Sequence, residues 1–411
     1  MQATHSIVIA AVLAATLGGL PMAASADGQG TFVQDRFAIG FWVDPPADDL
    51  MEARYAEIAQ ANFTLVIGGF GARTPETVQR QLDLCEKHDL KALVSRAGLQ
   101  PDRLPESPAC WGYMLRDEPN VAHFAGLRQL ADEIWAARPG KLCYINLFPN
   151  YANAAQLGAP TYDEHVARFV QDVGVRVLSM DHYPRLQRGS DARKAYCDNL
   201  AVMRKYSLQE GIPFWNFFYC MPFGGHEDPS ESVIRWQVFT SLAYGAKGVL
   251  YFCYYTPGGG EFPRGGAVIT RDGRRTRHYD QAQRLNARLK QMGPTLMQLT
   301  STGVRKLGPK DDARETLAGS GISSLQPSAN GEYLIGTFSH ADGRRAVMLC
   351  NYDHLYTSWP TVEFDVDPAQ AVEVDQQTGE EGPVLDDSPD MEGLQLSLDC
   401  GEGRLFLLPG D

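Results

Sequence analysis

Residues 111 to 120 read WGYMLRDEPN, and the next segment reads VAHFAGLRQLADEIWAA. The first is an apolar run ending in three charges and a proline. The second carries apolar residues at helical spacing, with Asn120 placed as a start signal. A strand that feeds a helix is a β-α unit, and the chain repeats it. FAIGFWVD (37 to 44), FTLVIGGF (63 to 70) and KALVSR (91 to 96) come before; LCYINLF (142 to 148), VRVLSMDHY (175 to 183), PFWNFFYC (213 to 220) and GVLYFCYY (248 to 255) come after. Near-continuous hydrophobicity in these runs predicts burial on both faces, as in parallel strands covered by helices. Helix starts fill most gaps, such as Thr74-Pro75-Glu76 before VQRQLDLCEKH and Pro229-Ser230-Glu231 before SVIRWQVFTSLAY; the gap between the third and fourth runs has none. Alternation at this count predicts an α/β fold, a (β/α)8 TIM barrel over residues 27 to 299. A doubly wound open sheet would instead begin with a glycine-rich phosphate turn where this chain has FWVDPPADD.

From about residue 300 the pattern changes. EYLIGTFSH (332 to 340), RRAVMLCNY (344 to 352), TVEFDV (361 to 366), AVEVDQ (371 to 376), LQLSLDC (394 to 400) and GRLFLL (403 to 408) alternate between apolar and polar and are split by turn residues. They predict a small antiparallel β-sandwich domain over residues 300 to 411, packed directly on the barrel. At the other end, IVIAAVLAATLGGL (7 to 20) followed by Ala24-Ser25-Ala26 reads as a signal peptide of residues 1 to 26, so a secreted or periplasmic protein is expected. No later run is apolar enough to span a bilayer, and no membrane association is expected after cleavage.

At 44% hydrophobic and 21% charged, 411 residues make a globular chain with ample core. Fifty acidic against 37 basic side chains leave a net charge of −13, which argues against a nucleic-acid partner. Eight cysteines in an exported chain permit disulfides. Cys350 with Cys400 is the expected pair, because both sit in strand-like segments of the C-terminal region; Cys143, Cys220 and Cys253 read as buried thiols.

Barrel sites form at the carboxyl ends of the strands, so the run ends supply the candidates. They are Trp42 and Asp44; Arg116, Asp117 and Glu118; Asn146 and Phe148; Asp181, His182 and Tyr183; Trp215, Asn216 and Tyr219; Tyr251, Tyr254 and Tyr255. Carboxylates among rings and amides suit a carbohydrate, whose apolar faces stack on rings while its hydroxyls take polar groups. Glycosidic cleavage asks for an acid at the leaving oxygen and a second group at the oxocarbenium-like centre. Glu118 is the leading acid, since Asp117 beside it should raise its pKa; Asp181 is a second catalytic candidate. The bland reading of Asp117 and Glu118 is that they favour the following helix through its dipole.

On WGYMLRDEPN and the eight runs with a C-terminal β-domain, the chain resembles the (β/α)8-barrel glycoside hydrolases. In their large retaining clan an Asn-Glu pair ends strand four and a glutamate ends strand seven. This chain has Asp117 before Glu118, and no carboxylate in IPFWNFFYC. The adjacent Asp-Glu pair is similar to that of glycoside hydrolase families 20 and 123. That resemblance implies Glu118 as acid, Asp117 orienting a substrate acetamido group, and a tyrosine such as Tyr219 or Tyr254 holding the acetamido oxygen. Some barrel α-glycosidases place carboxylates after strands four and six, which Asp117 or Glu118 with Asp181 would reproduce.

No cofactor is expected. Asp181, His182, His226 and Glu227 lack HExxH or paired CxxC spacing, so no metal is expected either. GGFG (68 to 71) and GGG (258 to 260) read as loops, with Glu261 in the second a spare carboxylate. Two rivals to an exported glycosidase stand beside it. One is a noncatalytic carbohydrate-binding barrel; the other, a serine esterase, lacks its GxSxG elbow.

Overall fold

The computed structural model describes residues 31 to 326 and 331 to 410, and the expected signal peptide lies outside them. Eight parallel strands carry the first domain: β1 Ala38–Phe41, β2 Leu65–Ile67, β3 Lys91–Val94, β4 Cys110–Asp117, β5 Leu142–Asn146, β6 Leu178–Asp181, β7 Phe214–Tyr219 and β8 Gly248–Phe252. They form two four-stranded sheets, β2-β3-β4-β5 and β1-β8-β7-β6. Hydrogen bonds join the sheets at both seams. Thr64 donates its N–H to the Ile39 carbonyl at 2.9 Å, and its hydroxyl accepts from the Ile39 N–H. At the other seam Leu147 bridges Met180, with its N–H 2.8 Å from the Ser179 carbonyl. The strand order is therefore cyclic.

Among the described residues seven helices of 10 residues or more connect and follow the strands: α1 Met51–Gln60, α2 Pro75–Lys87, α3 Phe124–Ala137, α4 Tyr162–Val173, α5 Arg193–Glu210, α6 Glu231–Ala243 and α7 Arg277–Gln298. Between β3 and β4 there is only a 3-10 turn, Pro101–Arg103. The start signals act locally. Thr74 caps α2 in a reciprocal box with Thr77, and Ser230 accepts from the Val233 N–H at the start of α6. Asn120 caps a 3-10 turn, Val121–His123, and α3 begins only at Phe124.

Alternation along the strands separates two apolar layers. Leu65, Leu93, Trp111, Tyr144, Trp215 and Leu250 fill the space enclosed by the strands, with Trp111 and Trp215 stacked 6.0 Å apart. The other face packs on the helices. Helix α6 is buried from Val233 through Ala243 except for Arg235, because strands cover one side and the second domain the other. A Cβ on Gly336 would lie 2.3 Å from the Ala243 carbonyl oxygen, so glycine permits this approach.

The second domain starts at Leu299, directly after α7. Its strands are β9 Leu299–Leu307, β10 Ile322–Gln326, β11 Tyr333–His340, β12 Arg345–Asn351, β13 Thr361–Phe364, β14 Val372–Val374, β15 Glu381–Pro383, β16 Leu394–Gln395 and β17 Gly403–Leu408. A six-stranded antiparallel sheet, β9-β11-β12-β17-β14-β15, faces a three-stranded one, β10-β13-β16. Ile335, Leu349, Val362, Leu396 and Phe406 lie in the core between them. The expected Cys350–Cys400 disulfide is absent, and all eight cysteines are free. The reason is orientation: the Cys350 thiol points to α6, 3.7 Å from the Phe239 carbonyl, while Cys400 sits in a partly exposed turn. Cys143, Cys220 and Cys253 are buried thiols.

Candidate active site

In a regular strand neighbouring side chains point to opposite faces. The end of β4 breaks that rule twice. Its register on β5 shifts between Met114 and Arg116, and Glu118 sits at φ 44°, a left-handed conformation rare for a residue with a side chain. Such a backbone costs about 1–3 kcal/mol. As a result the consecutive Asp117 and Glu118 both line one cavity of about 340 Å3 at the carboxyl ends of the strands.

Asn146, at the end of β5, organises the carboxyls. Its Nδ2 donates to Asp117 Oδ1 at 3.2 Å and to Asp181 Oδ1 at 2.8 Å. Sharing one nitrogen, those two oxygens are no more than about 6 Å apart. The amide is oriented from behind: Ser179 donates to its Oδ1 at 3.0 Å, and the Tyr144 hydroxyl lies 2.8 Å from Ser179 Oγ. A flipped amide would set two acceptors against each other.

The three carboxyls hold their protons unusually well. Burial, then Asp117, push Glu118 up to about 7. Asp181 is raised well above the ordinary range by its burial, then by Glu118 and Asp117. Asp117 is open to the cavity yet hemmed in by its walls; burial raises it too, against the lowering effect of Asn146. No cation is among the groups that shift any of them. Three like charges in one cavity cannot all form at neutral pH. Asp117 is the most open of the three and Asp181 the deepest.

The opposite wall is aromatic. Trp42, Tyr183, Phe217, Phe223 and Phe252 line it, with Tyr151 and Glu261 at the rim. The end of β7, where a retaining-clan nucleophile would stand, presents Phe217.

Several expected residues lie elsewhere. Asp44 turns into the loop after β2, where it accepts from the N–H groups of Phe70, Gly71 and Ala72; burial still lifts it to about 6. It positions that loop and does not line the cavity. Trp215 is second in β7 and lies below the cavity, its Nε1 donating to Gln34. Asn216 points outward to Tyr196 and Ser241. His182 also faces outward, to Asn199, and burial lowers it to about 4, so it is neutral. Tyr254 stacks on Phe41, Tyr251 bonds Asn286, and Phe148 lies against His165. Tyr255 donates to the Arg271 carbonyl. Tyr219 and Glu227 line a separate hollow of about 670 Å3 against the second domain. A further hollow of about 420 Å3 lies near the amino ends of the strands, around Lys247. His226 braces a loop between the Phe223 and Tyr183 carbonyls. Among the described residues no three His, Cys, Asp or Glu side chains gather as metal ligands, and no helix is long and apolar enough to cross a membrane.

Sequence reading passed over Tyr151, Phe217, Phe223 and Phe252. Phe217 was open to detection, because it shares strand parity with Trp215, two residues earlier in the same run. Tyr151 and Phe223 come from loops, whose paths carry no periodic signal.

Parallel strands with carboxyls at their carboxyl ends and a trailing β-domain are the arrangement expected from the sequence. No family model matches the chain and no curated protein matches it, so the comparison rests on solved structures. A family 42 β-galactosidase from G. stearothermophilus, in a catalytic-mutant form, aligns at TM-score 0.62 and 9% identity over 92% of this chain and 99% of that one. A family 5 glycoside hydrolase from Bacteroides vulgatus aligns at 0.51 and 10% identity, over 91% and 89%. The chain spans 60% of the length of a β-galactosidase from Marinomonas ef1, at TM-score 0.46, 12% identity and 62% of this chain. At such identities the likeness shows a shared fold.

Proposed function

We propose that this protein is an exported glycoside hydrolase with a (β/α)8 barrel as its catalytic domain. The observation that carries the reading is the carboxyl cluster: Asp117, Glu118 and Asp181 share one aromatic-walled cavity without a cation, and burial with Asp117 pushes Glu118 up to about 7. Glu118, its carboxyl pushed up to about 7 by burial and Asp117, donates its proton to the leaving glycosidic oxygen. Asp117, the most open of the three, supports the positive centre, and Asn146 holds it in place. Its resemblance to the pair of families 20 and 123 favours a substrate acetamido group as the nucleophile that Asp117 orients. Tyr151 or Tyr183, both at this cavity, replace Tyr219 and Tyr254 as partners for the acetamido oxygen. The aromatic wall excludes water and stacks on the sugar ring.

The test is Glu118→Gln on a panel of N-acetylated and plain oligosaccharides. The variant is expected to lose about 10²–10⁴ in kcat while still binding sugar. Asp117→Asn should abolish cleavage of 2-acetamido substrates. Cleavage of plain hexosides that disappears in Asp181→Asn would instead make Asp181 the partner. A parent that binds a saccharide tightly and cleaves none would be a carbohydrate-binding barrel and would overturn the enzyme reading. Export is tested by the amino-terminal sequence of the mature protein, which should begin at Asp27.

A further inference from the structure

Beside the carboxyl cavity lies a second groove of about 340 Å3, with Trp42 and Asp117 as the shared wall. It is built from the ends of β2, β3 and β4 and the loops that leave them. Apart from Asp117, its charged lining consists of Arg96 and Arg116. Among the described residues neither guanidinium has a carboxylate partner. Arg116 meets His123 Nε2 at 3.2 Å, and the side chain of Arg96 makes no hydrogen bond or ion pair. Neither stacks on a ring, and neither is among the groups that shift Asp117, Glu118 or Asp181. In a chain of net charge −13, this groove has the opposite sign.

A guanidinium at the wall of a hollow offers a fixed fork of donors whose natural complement is a planar or tetrahedral oxyanion. Arg96 is half-buried on the bend that follows β3, where Ala97 and Gly98 both have positive φ. This bend carries it to the groove, across from Arg116 at the end of β4. We infer that the groove binds an anionic substituent on the saccharide unit next to the scissile bond, a uronic-acid carboxylate or a sulfate ester. The inference rests on the glycosidase reading for its place on the substrate. The anion preference itself depends only on the groove.

Titration of the full chain with D-glucuronate, D-glucose 6-sulfate and D-glucose, followed by NMR at low ionic strength, tests it without turnover. At least one anionic sugar should bind about tenfold more tightly than glucose, the scale of a charged hydrogen bond. That preference should shrink with added salt and vanish in Arg96→Gln/Arg116→Gln. Which of the two anionic sugars gains identifies the substituent. If the double variant fails to fold by thermal denaturation, the single variants and the salt series on the parent carry the same comparison. Equal binding of all three sugars, or a preference that survives loss of both arginines, overturns the inference. A chain that shows the preference yet cleaves nothing would sink the glycosidase reading alone. One that cleaves without any charge preference would sink only the groove.

Discussion

The β-sandwich and the strand-end cavities handle charge in opposite ways. In the sandwich Arg404 is held between Glu373 and Asp387, Arg344 between Asp342 and Glu381, and Arg345 on Asp365. At the strand ends three carboxyls share a hollow without a cation, and two arginines line the next one without pairing to a carboxylate. The same chain can therefore pair its charges, and does so in the sandwich. Leaving charge unpaired costs stability, and such sites persist where the charge has a use. The backbone gives the same contrast, since the left-handed Glu118 sits at the cavity.

The contrast is broken most sharply by pH. Glu118 at about 7 must be protonated to act as an acid, so kcat/KM should fall about tenfold per pH unit above 7. An alkaline limb absent up to pH 9 would remove Glu118 from that role. Stability should follow the same proton. The fold holds it more tightly than the unfolded chain, whose glutamate titrates near 4.5, so this group costs stability progressively as pH rises from 4.5 to about 7. Glu118→Gln cannot ionise. Its melting temperature should gain on the parent's across that window and then run parallel to it. A constant offset from pH 4 to 8 would show that the cavity does not strain this carboxyl.

These expectations indicate how far the sequence could reach. Strand type was legible because burial on both faces leaves an apolar run, and the carboxyls that end such runs stood out. Depth was not legible. Trp215 and Phe217 share a face of β7, but only the second rises to the cavity, since the strand begins at Phe214 and Trp215 is near its start. Parity separates Asp181 and Tyr183, which face inward, from His182, which faces out to Asn199. Asp44 ends a run as Glu118 does, yet its carboxylate holds the backbone of its neighbouring loop. No glycine marks the bend at Glu118, so its effect on side-chain direction is visible only in the backbone.

The paired region should answer to truncation in stability alone. Arg404 and Glu373 are mostly buried, with side chains 11% and 18% exposed. Arg404→Ala would leave the carboxylates of Glu373 and Asp387 without their shared cation, and should cost about 3 kcal/mol in denaturant unfolding. The residue lies in the sandwich, away from the carboxyl cavity, so kcat of the folded fraction should match the parent's. Unaltered unfolding would mean that the sandwich's pairs merely decorate its surface, and the opposition between the two regions would lose one side.

The smallest effect tests whether burial, not pairing, gives the sandwich pairs their worth. Lys194 and Asp198 on α5 are 2.8 Å apart, one turn from each other, but 86% and 54% exposed. Water screens the attraction, two flexible side chains lose freedom to meet, and the lysine precedes the aspartate, the weaker order along a helix. Lys194→Ala should change stability by about 0.3 kcal/mol or less, and Ala is itself a good helix former. A loss equal to that of Arg404→Ala would show that proximity of opposite charges suffices. The meaning assigned to the unpaired groups at the strand ends would then need a different basis, because an exposed charge would have as much to gain from a partner as a buried one.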